Sequence, residues 1–175
     1  MPILTGKPAK AKLVAALMAP REGLIQKALS ALEPTYGSVE LASSVFPFTY
    51  SDYYKNEMGD GLCKMFCSFG RLIEPDEIVS LKLEAIECEK KFLRDEAPQT
   101  SFKRSVNIDP GYLDRTKLVL ATTKDCSHRI YLAKGIYGDV ELVYRSGSFV
   151  CLEWTYLDYR EAFAIEFFNK VRSAT

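Results

Sequence analysis

Several things are scarce in this 175-residue chain, and each absence narrows what the protein does. Histidine and tryptophan occur once each, as His128 and Trp154, so any imidazole chemistry falls on one position. No apolar run approaches the ~20 residues that a membrane helix needs. The longest are Leu13–Pro20 and Ile130–Ala133. The run that follows Lys7, Lys10 and Lys12 is also too short for a secretory leader, and Pro20-Arg21-Glu22 is a poor cleavage context. Neither sign of charge is in excess, with 23 Lys and Arg against 23 Asp and Glu. Nucleic-acid binders commonly carry a basic surplus for phosphate contacts, so the balance argues against that role while leaving room for a local basic patch. The cysteines number five, an odd count at irregular spacing, which argues against a disulfide framework and for buried free thiols. Together these features predict a cytoplasmic protein with no membrane partner.

Familiar chemical signatures are missing too. Thr5-Gly6-Lys7 has the end of a phosphate loop, but Met1 stands where its first glycine belongs and Pro8 where Ser or Thr belongs. Cys63 and Cys67 have no second pair to complete a zinc site, and Cys126 with His128 is a poor start for one. No motif marks Ser127 or Cys126 as a nucleophile. The sequence therefore predicts no metal and no cofactor.

What is present is an ordinary globular composition, 47% hydrophobic and 26% charged. A flexible start over residues 1–10 precedes one expected domain over 11–175, long enough to bury ~70% of its unfolded surface. Leu13–Met18 reads as a buried strand. A helix near Arg21–Tyr36 places Leu24, Ile25, Ala28, Leu29 and Leu32 on one face and stops at Gly37. Val39–Phe48 and Cys63–Ile73 read as strands, Pro75 opens a second helix, and a fourth strand is expected at about Lys103–Ile108. That order is β-α-β-β-α-β, which predicts an α+β fold with a ferredoxin-like core. Leu113–Lys124 fits a helix, with a strand over Lys117–Thr123 as the alternative. Ser127–Leu132, Val140–Tyr144 and Phe149–Trp154 read as strands, the last two joined in a C-terminal hairpin through Arg145-Ser146-Gly147-Ser148. A final helix begins after Asp158, with Glu161 completing a capping-box pattern.

Polar residues concentrate in three places. Lys124, His128, Arg129 and Lys134 form the densest basic segment, either solvated charge or a site for a phosphate or carboxylate. Asp109-Pro110-Gly111-Tyr112 reads as a turn after the fourth strand. Tyr53 and Tyr54 lie in a polar loop with Tyr50, Asp52 and Glu57 and are either ligand contacts or loop packing. Asp52 and Asp109 fall in loops expected at opposite ends of the sheet, so they are not assigned as a carboxylate pair.

Val45-Phe46-Pro47-Phe48-Thr49, Tyr53-Tyr54, Glu57-Met58-Gly59 and Val106 through Tyr112 carry a further signal, as do Lys124-Asp125, His128 through Leu132, Gly135-Ile136-Tyr137, Trp154-Thr155-Tyr156 and Asp158-Tyr159-Arg160. As a set they resemble the prokaryotic domain-of-unknown-function family 4416 over nearly the whole chain after residue 10. Ala133 departs from the glycine that the pattern implies. The resemblance brings no activity. Some relatives are labelled GTP-binding, which this chain does not support: it lacks the phosphate loop, and Asn169-Lys170-Val171-Arg172 lacks a guanine-reading aspartate.

The leading expectation is a domain that binds or transforms a small anionic metabolite or nucleotide. Lys124, Arg129 and Lys134 would contact the anion, with Tyr53 and Tyr54 beside it. His128 would be the acid–base group, with Asp109 or Tyr112 as its partner. The alternative is a non-catalytic interaction module, including a homodimer, that uses surface aromatics such as Trp154, Tyr156 and Tyr159. RNA binding on the open sheet face fits worst, because Leu13–Met18 offers no aromatic residue.

Overall fold

Strand β1 (Ala11–Ala19) is buried along all nine residues. A computed structural model describes Gly6, residues 8–93 and residues 104–175. Leu13, Ala15, Leu17 and Ala19 join one apolar cluster, while Val14 and Ala16 join another. Side chains alternate along a strand, so β1 needs cover on both faces, and the rest of the chain supplies it.

The remaining elements are α1 (Glu22–Tyr36), β2 (Val39–Ala42), β3 (Phe46–Pro47), α2 (Lys55–Met58), β4 (Cys63–Ile73), α3 (Ile78–Lys90) and β5 (Asn107–Leu113). They continue with β6 (Lys117–Thr122), β7 (Arg129–Ala133), β8 (Ile136–Arg145), β9 (Ser148–Cys151) and α4 (Ala162–Ser173). All strands pair antiparallel, in the order β2-β4-β1-β5-β6-β8-β7, with β3 also beside β4 and β9 beside β8. Helices α1 and α3 bury Ile25, Ala28, Leu32, Ile78, Leu81 and Ala85 on one face. Helix α4 covers the other with Ala164, Phe167, Phe168 and Val171 over Phe66, Leu142 and Phe149. The architecture is α+β, a large antiparallel sheet with four helices among the described residues. No described helix is long and apolar enough to cross a membrane.

Several local expectations need correction. Leu113–Lys124 is not a helix, because Lys117–Thr122 forms β6 and pairs with both β5 and β8. Leu118 and Ala121 suit either period, so the neighbouring strands decide. Asp109-Pro110-Gly111-Tyr112 is not a turn but the middle of β5. Pro110 is tolerated there because the β5–β6 ladder spans only Gly111–Leu113, leaving Pro110 paired with Ala15 of β1 alone. Gly111 is required for the close approach of β6: a Cβ at that position would lie 2.5 Å from the Val119 carbonyl oxygen.

The expected strand over Val39–Phe48 breaks at Ser43, whose backbone N–H donates to the Phe66 carbonyl (2.9 Å) and whose hydroxyl accepts the Phe66 N–H (3.0 Å). Asp158 does not cap the last helix. It lies in a tight turn over Leu157–Arg160, and the Glu161 carbonyl accepts the first bonds of α4 from Ala164 and Ile165. The hairpin through Ser146-Gly147 forms as read, with φ of 49° and 92°, and a matching two-residue turn at Lys134-Gly135 (52° and 76°) joins β7 to β8. The expected flexible start falls largely outside the described residues, as does the beginning of the fourth strand at Lys103.

Candidate functional site

An enclosed pocket lies beside the place where two strands stop pairing. β5 begins at Asn107 and β6 runs to Thr122, yet they pair only from Gly111 onward. The floor beside this opening is a single cross-strand row, Lys64–Met18–Asn107, contributed by β4, β1 and β5. Asp109 and Leu120 complete it. Phe48, Ser51, Tyr53 and Tyr54 form one wall, from the loop before α2. Tyr156, Asp158 and Tyr159 form another, from the turn before α4, and Lys124 closes the mouth. The cavity measures about 260 Å³, just below the ~300 Å³ at which drug-sized pockets begin.

The tyrosine wall is held from below and from the side. Tyr54 and Phe48 pack on the small apolar cluster of Met18, Met58 and Leu62. Arg104 reaches Glu57 of α2 (3.1 Å) and Glu89 of α3 (3.0 Å), and Glu89 accepts the Ile108 N–H at 2.6 Å. The loop is thus tied to the start of β5.

Charges in the pocket are mostly balanced. Lys64 Nζ lies 2.6 Å from Asp158 Oδ2, both buried, with the rings of Tyr159, Phe48 and Phe66 at 5.0–5.6 Å. Asp109 accepts from Lys82 Nζ (3.2 Å) and Asn107 Nδ2 (2.7 Å). Burial alone would raise its pKa, but Lys82, Lys64 and the Asn107 hydrogen bond outweigh that and hold it below the usual carboxylate range. It therefore stays ionised, which suits an acceptor better than a general base. Burial raises the Tyr156 phenol to about 12 and lifts Tyr54 further. Lys124 differs from the other cations. Its ammonium lies 3.9 Å from the Tyr53 ring centroid and has no carboxylate partner among the described residues.

Behind the tyrosine wall, Arg129 acts as a hub. It donates to Asp139 Oδ2 (2.7 Å), to the Lys124 carbonyl (3.0 Å) and to the Tyr156 hydroxyl (2.7 Å). His128 stacks on Trp154 with centroids 5.0 Å apart and lies 3.5 Å from the same Asp139 oxygen. Glu141, two residues further along β8, is fully buried and accepts the Tyr156 N–H. Neither its Oε2 nor Asp139 Oδ1 has a hydrogen-bond partner among the described residues. Burial, reinforced by Asp139 and Asp158, pushes the Glu141 carboxyl up to about 8 against the opposing pull of the Tyr156 bond and Lys64.

The structure brings Asp109, Tyr53, Tyr54 and Lys124 together, with Arg129 one hydrogen bond behind Tyr156. His128 lies further back, against Asp139 and Trp154. Tyr112 packs on the opposite sheet face, with the α1–α3 cluster. Lys134 occupies the β7–β8 turn and does not line the pocket. Asp52 faces a more open depression of about 540 Å³ behind the loop and pairs with Lys55. Asp109 nevertheless meets the tyrosine loop, because it lies near the start of β5 rather than beyond its end. Lys64, Asn107, Asp139, Glu141 and Asp158 were not among the expected site residues. Their signal was weak but real: a lysine in the apolar run Cys63–Phe69 and two carboxylates alternating with Val140 and Leu142 in β8. Of the five free thiols, Cys67 and Cys88 are buried, but Cys126 and Cys151 are exposed, which corrects the expectation of buried thiols. Among the described residues, no group of three or more His, Cys, Asp or Glu side chains is placed to hold a metal ion.

Comparison with known proteins adds a family and no chemistry. A family model described as Domain of unknown function (DUF4416) matches residues 9–174. No curated protein and no solved structure matches the chain.

Proposed function

The chain belongs to the DUF4416 family of domains of unknown function, and from that premise we propose that it binds a compact anionic metabolite in the pocket between β5 and β6. The observation that carries this reading is Lys124, a cation without a carboxylate partner among the described residues, held on the face of Tyr53 at the mouth of an enclosed, aromatic-walled cavity. The deeper charges pair off as Lys64 with Asp158 and Lys82 with Asp109. That leaves one net positive charge at the entrance, and an anion supplies what it lacks. Arg129 orders this entrance by fixing the Lys124 backbone and the Tyr156 hydroxyl.

The test is a thermal-shift and calorimetric screen with inorganic phosphate and small phosphorylated and carboxylated metabolites. A ligand at a hundred times its Kd adds ~2.7 kcal/mol of apparent stability, or roughly 5–10 °C for a chain of this size. Lys124→Ala is expected to weaken binding at least tenfold, since hydrogen bonds to charged groups contribute ~1.5–3 kcal/mol. Unchanged affinity in that variant overturns the reading.

The fold is read, in the same spirit, as a ferredoxin-like core over Ala11–Leu113 with β6–β9 and α4 added. The order β2-β4-β1-β5 and the placement of α1 and α3 on one face support this. Cytoplasmic location belongs to the same reading and is supported by the five free thiols.

A second reading, self-association, has its own observation. Outermost strand β7 exposes Ile130, Tyr131 and Leu132 at 68%, 58% and 41%. An antiparallel pair of β7 strands centred on Tyr131 would set Ile130 opposite Leu132 of a second copy and extend the sheet. Light scattering should then show a concentration-dependent dimer that Ile130→Lys dissolves, whereas a monomer at every concentration removes this reading.

A further inference from the structure

We infer that the ligand of this pocket is a hydroxylated anion, a phosphorylated or carboxylated polyol, whose hydroxyl donates to Asp109 while its anionic end meets Lys124. The inference rests on the anion-binding reading and deepens it. A carboxylate offers about four acceptor positions. The protein uses two on Asp109, one from Lys82 and one from Asn107. The side chain is 30% exposed and lines the cavity, so its remaining acceptor capacity is open to a ligand.

A donor is wanted there, and the surroundings choose its kind. Lys82 and Lys64 both stabilise the Asp109 charge. A ligand ammonium at that point would meet two cations already in place, whereas a hydroxyl donates without adding charge. The walls agree. Phe48, Tyr54 and Tyr156 present ring faces and edges suited to the C–H surface of a polyol, with Ser51 and Asn107 as further polar contacts. The two ends of the pocket thus make different demands. An unpaired cation at the mouth asks for an anion, and an ionised acceptor on the floor asks for a neutral donor.

Matched probes test this on the unaltered protein, by calorimetry and thermal shift. Glycerol 3-phosphate, propyl phosphate and phosphoethanolamine share a phosphate and differ in the group presented to Asp109. Glycerol 3-phosphate is expected to bind at least tenfold tighter than either of the others, and all three should weaken in Lys124→Ala. Equal binding of glycerol 3-phosphate and propyl phosphate, still dependent on Lys124, overturns the hydroxyl assignment and leaves the anion site standing. Tightest binding of phosphoethanolamine overturns it in favour of a cationic donor. Binding of none overturns both readings. Asp109→Asn should erase the preference for glycerol 3-phosphate over propyl phosphate, while both phosphates gain equally from the charge of the freed Lys82. The comparison on the unaltered protein stands even if that variant, with Lys82 left unpaired, fails to fold.

Discussion

Lys64→Met should lower the melting temperature by ~10 °C, because losing one member of a buried ion pair costs about 3–5 kcal/mol and each kcal/mol moves a chain of this size by ~2–4 °C. The Lys64 and Asp158 side chains are only 8% and 3% exposed. With the ammonium gone, the buried Asp158 carboxylate is left without its 2.6 Å partner. Methionine replaces the stem volume but not the charge. The double variant Lys64→Met with Asp158→Asn removes both charges and should recover much of the loss. Denaturant titration of both single variants and the double one gives the coupling. Strictly additive losses would mean that the pair contributes nothing of its own, whatever its geometry.

Glu141→Gln should flatten the fall of stability between about pH 4.5 and pH 8. Glu141 is buried and binds its proton up to about pH 8 in the folded chain, against 4.5 for the ordinary group. Its contribution is therefore fully present below pH 4.5 and is lost as pH rises to about 8, since the folded state holds a proton that the unfolded state releases. The slope across that window approaches ~1.4 kcal/mol per pH unit, and the whole loss is on the order of 5 kcal/mol. Glutamine keeps an oxygen for the Tyr156 N–H and cannot ionise. At pH 5 variant and parent should agree within about 1 kcal/mol, the scale of one imperfectly satisfied buried amide. At pH 9 the variant should be several degrees more stable. Melting curves from pH 5 to pH 9 check this, and parallel profiles for the two proteins would refute it.

The legible parts of the fold were those set by local pattern. Leu13–Met18 is apolar on both faces, and it is a central strand. The periodicity of α1 and the proline before α3 gave both helices to within a few residues. What local pattern could not give was partner choice. Leu118 and Ala121 match a helix face as well as a strand, and only their neighbours in the sheet, Leu113 and Leu142 beside the first and Gly138 beside the second, make β6 a strand. Pro110 and Gly111 carry turn chemistry, yet both suit a strand that parts from its neighbour. Asp158 stands where a helix cap would stand, but a lysine 94 positions earlier claims its carboxylate.

The candidate site followed the same rule. Tyr53, Tyr54, Lys124 and Asp109 are conspicuous because polar and aromatic residues in loops draw notice. Lys64 and Asn107 are not, since they sit inside strands, where sequence shows only burial. Placing Asp109 after its strand rather than near its start reversed the end of the sheet to which it belongs. A shift of a few residues in one boundary thus separated the carboxylate from the tyrosines it faces.

The parting of β5 from β6 is a feature of the main chain, whereas the walls of the cavity are side chains from the loop before α2 and the turn before α4. Substitutions at Leu120, Asn107 or Lys124, on the floor and at the mouth, therefore leave those walls in place while altering what enters. A pocket of this origin is a natural starting point for redesigning selectivity. The backbone at Gly111 marks where the strands stop pairing, and the floor can be rewritten between walls that two other segments supply.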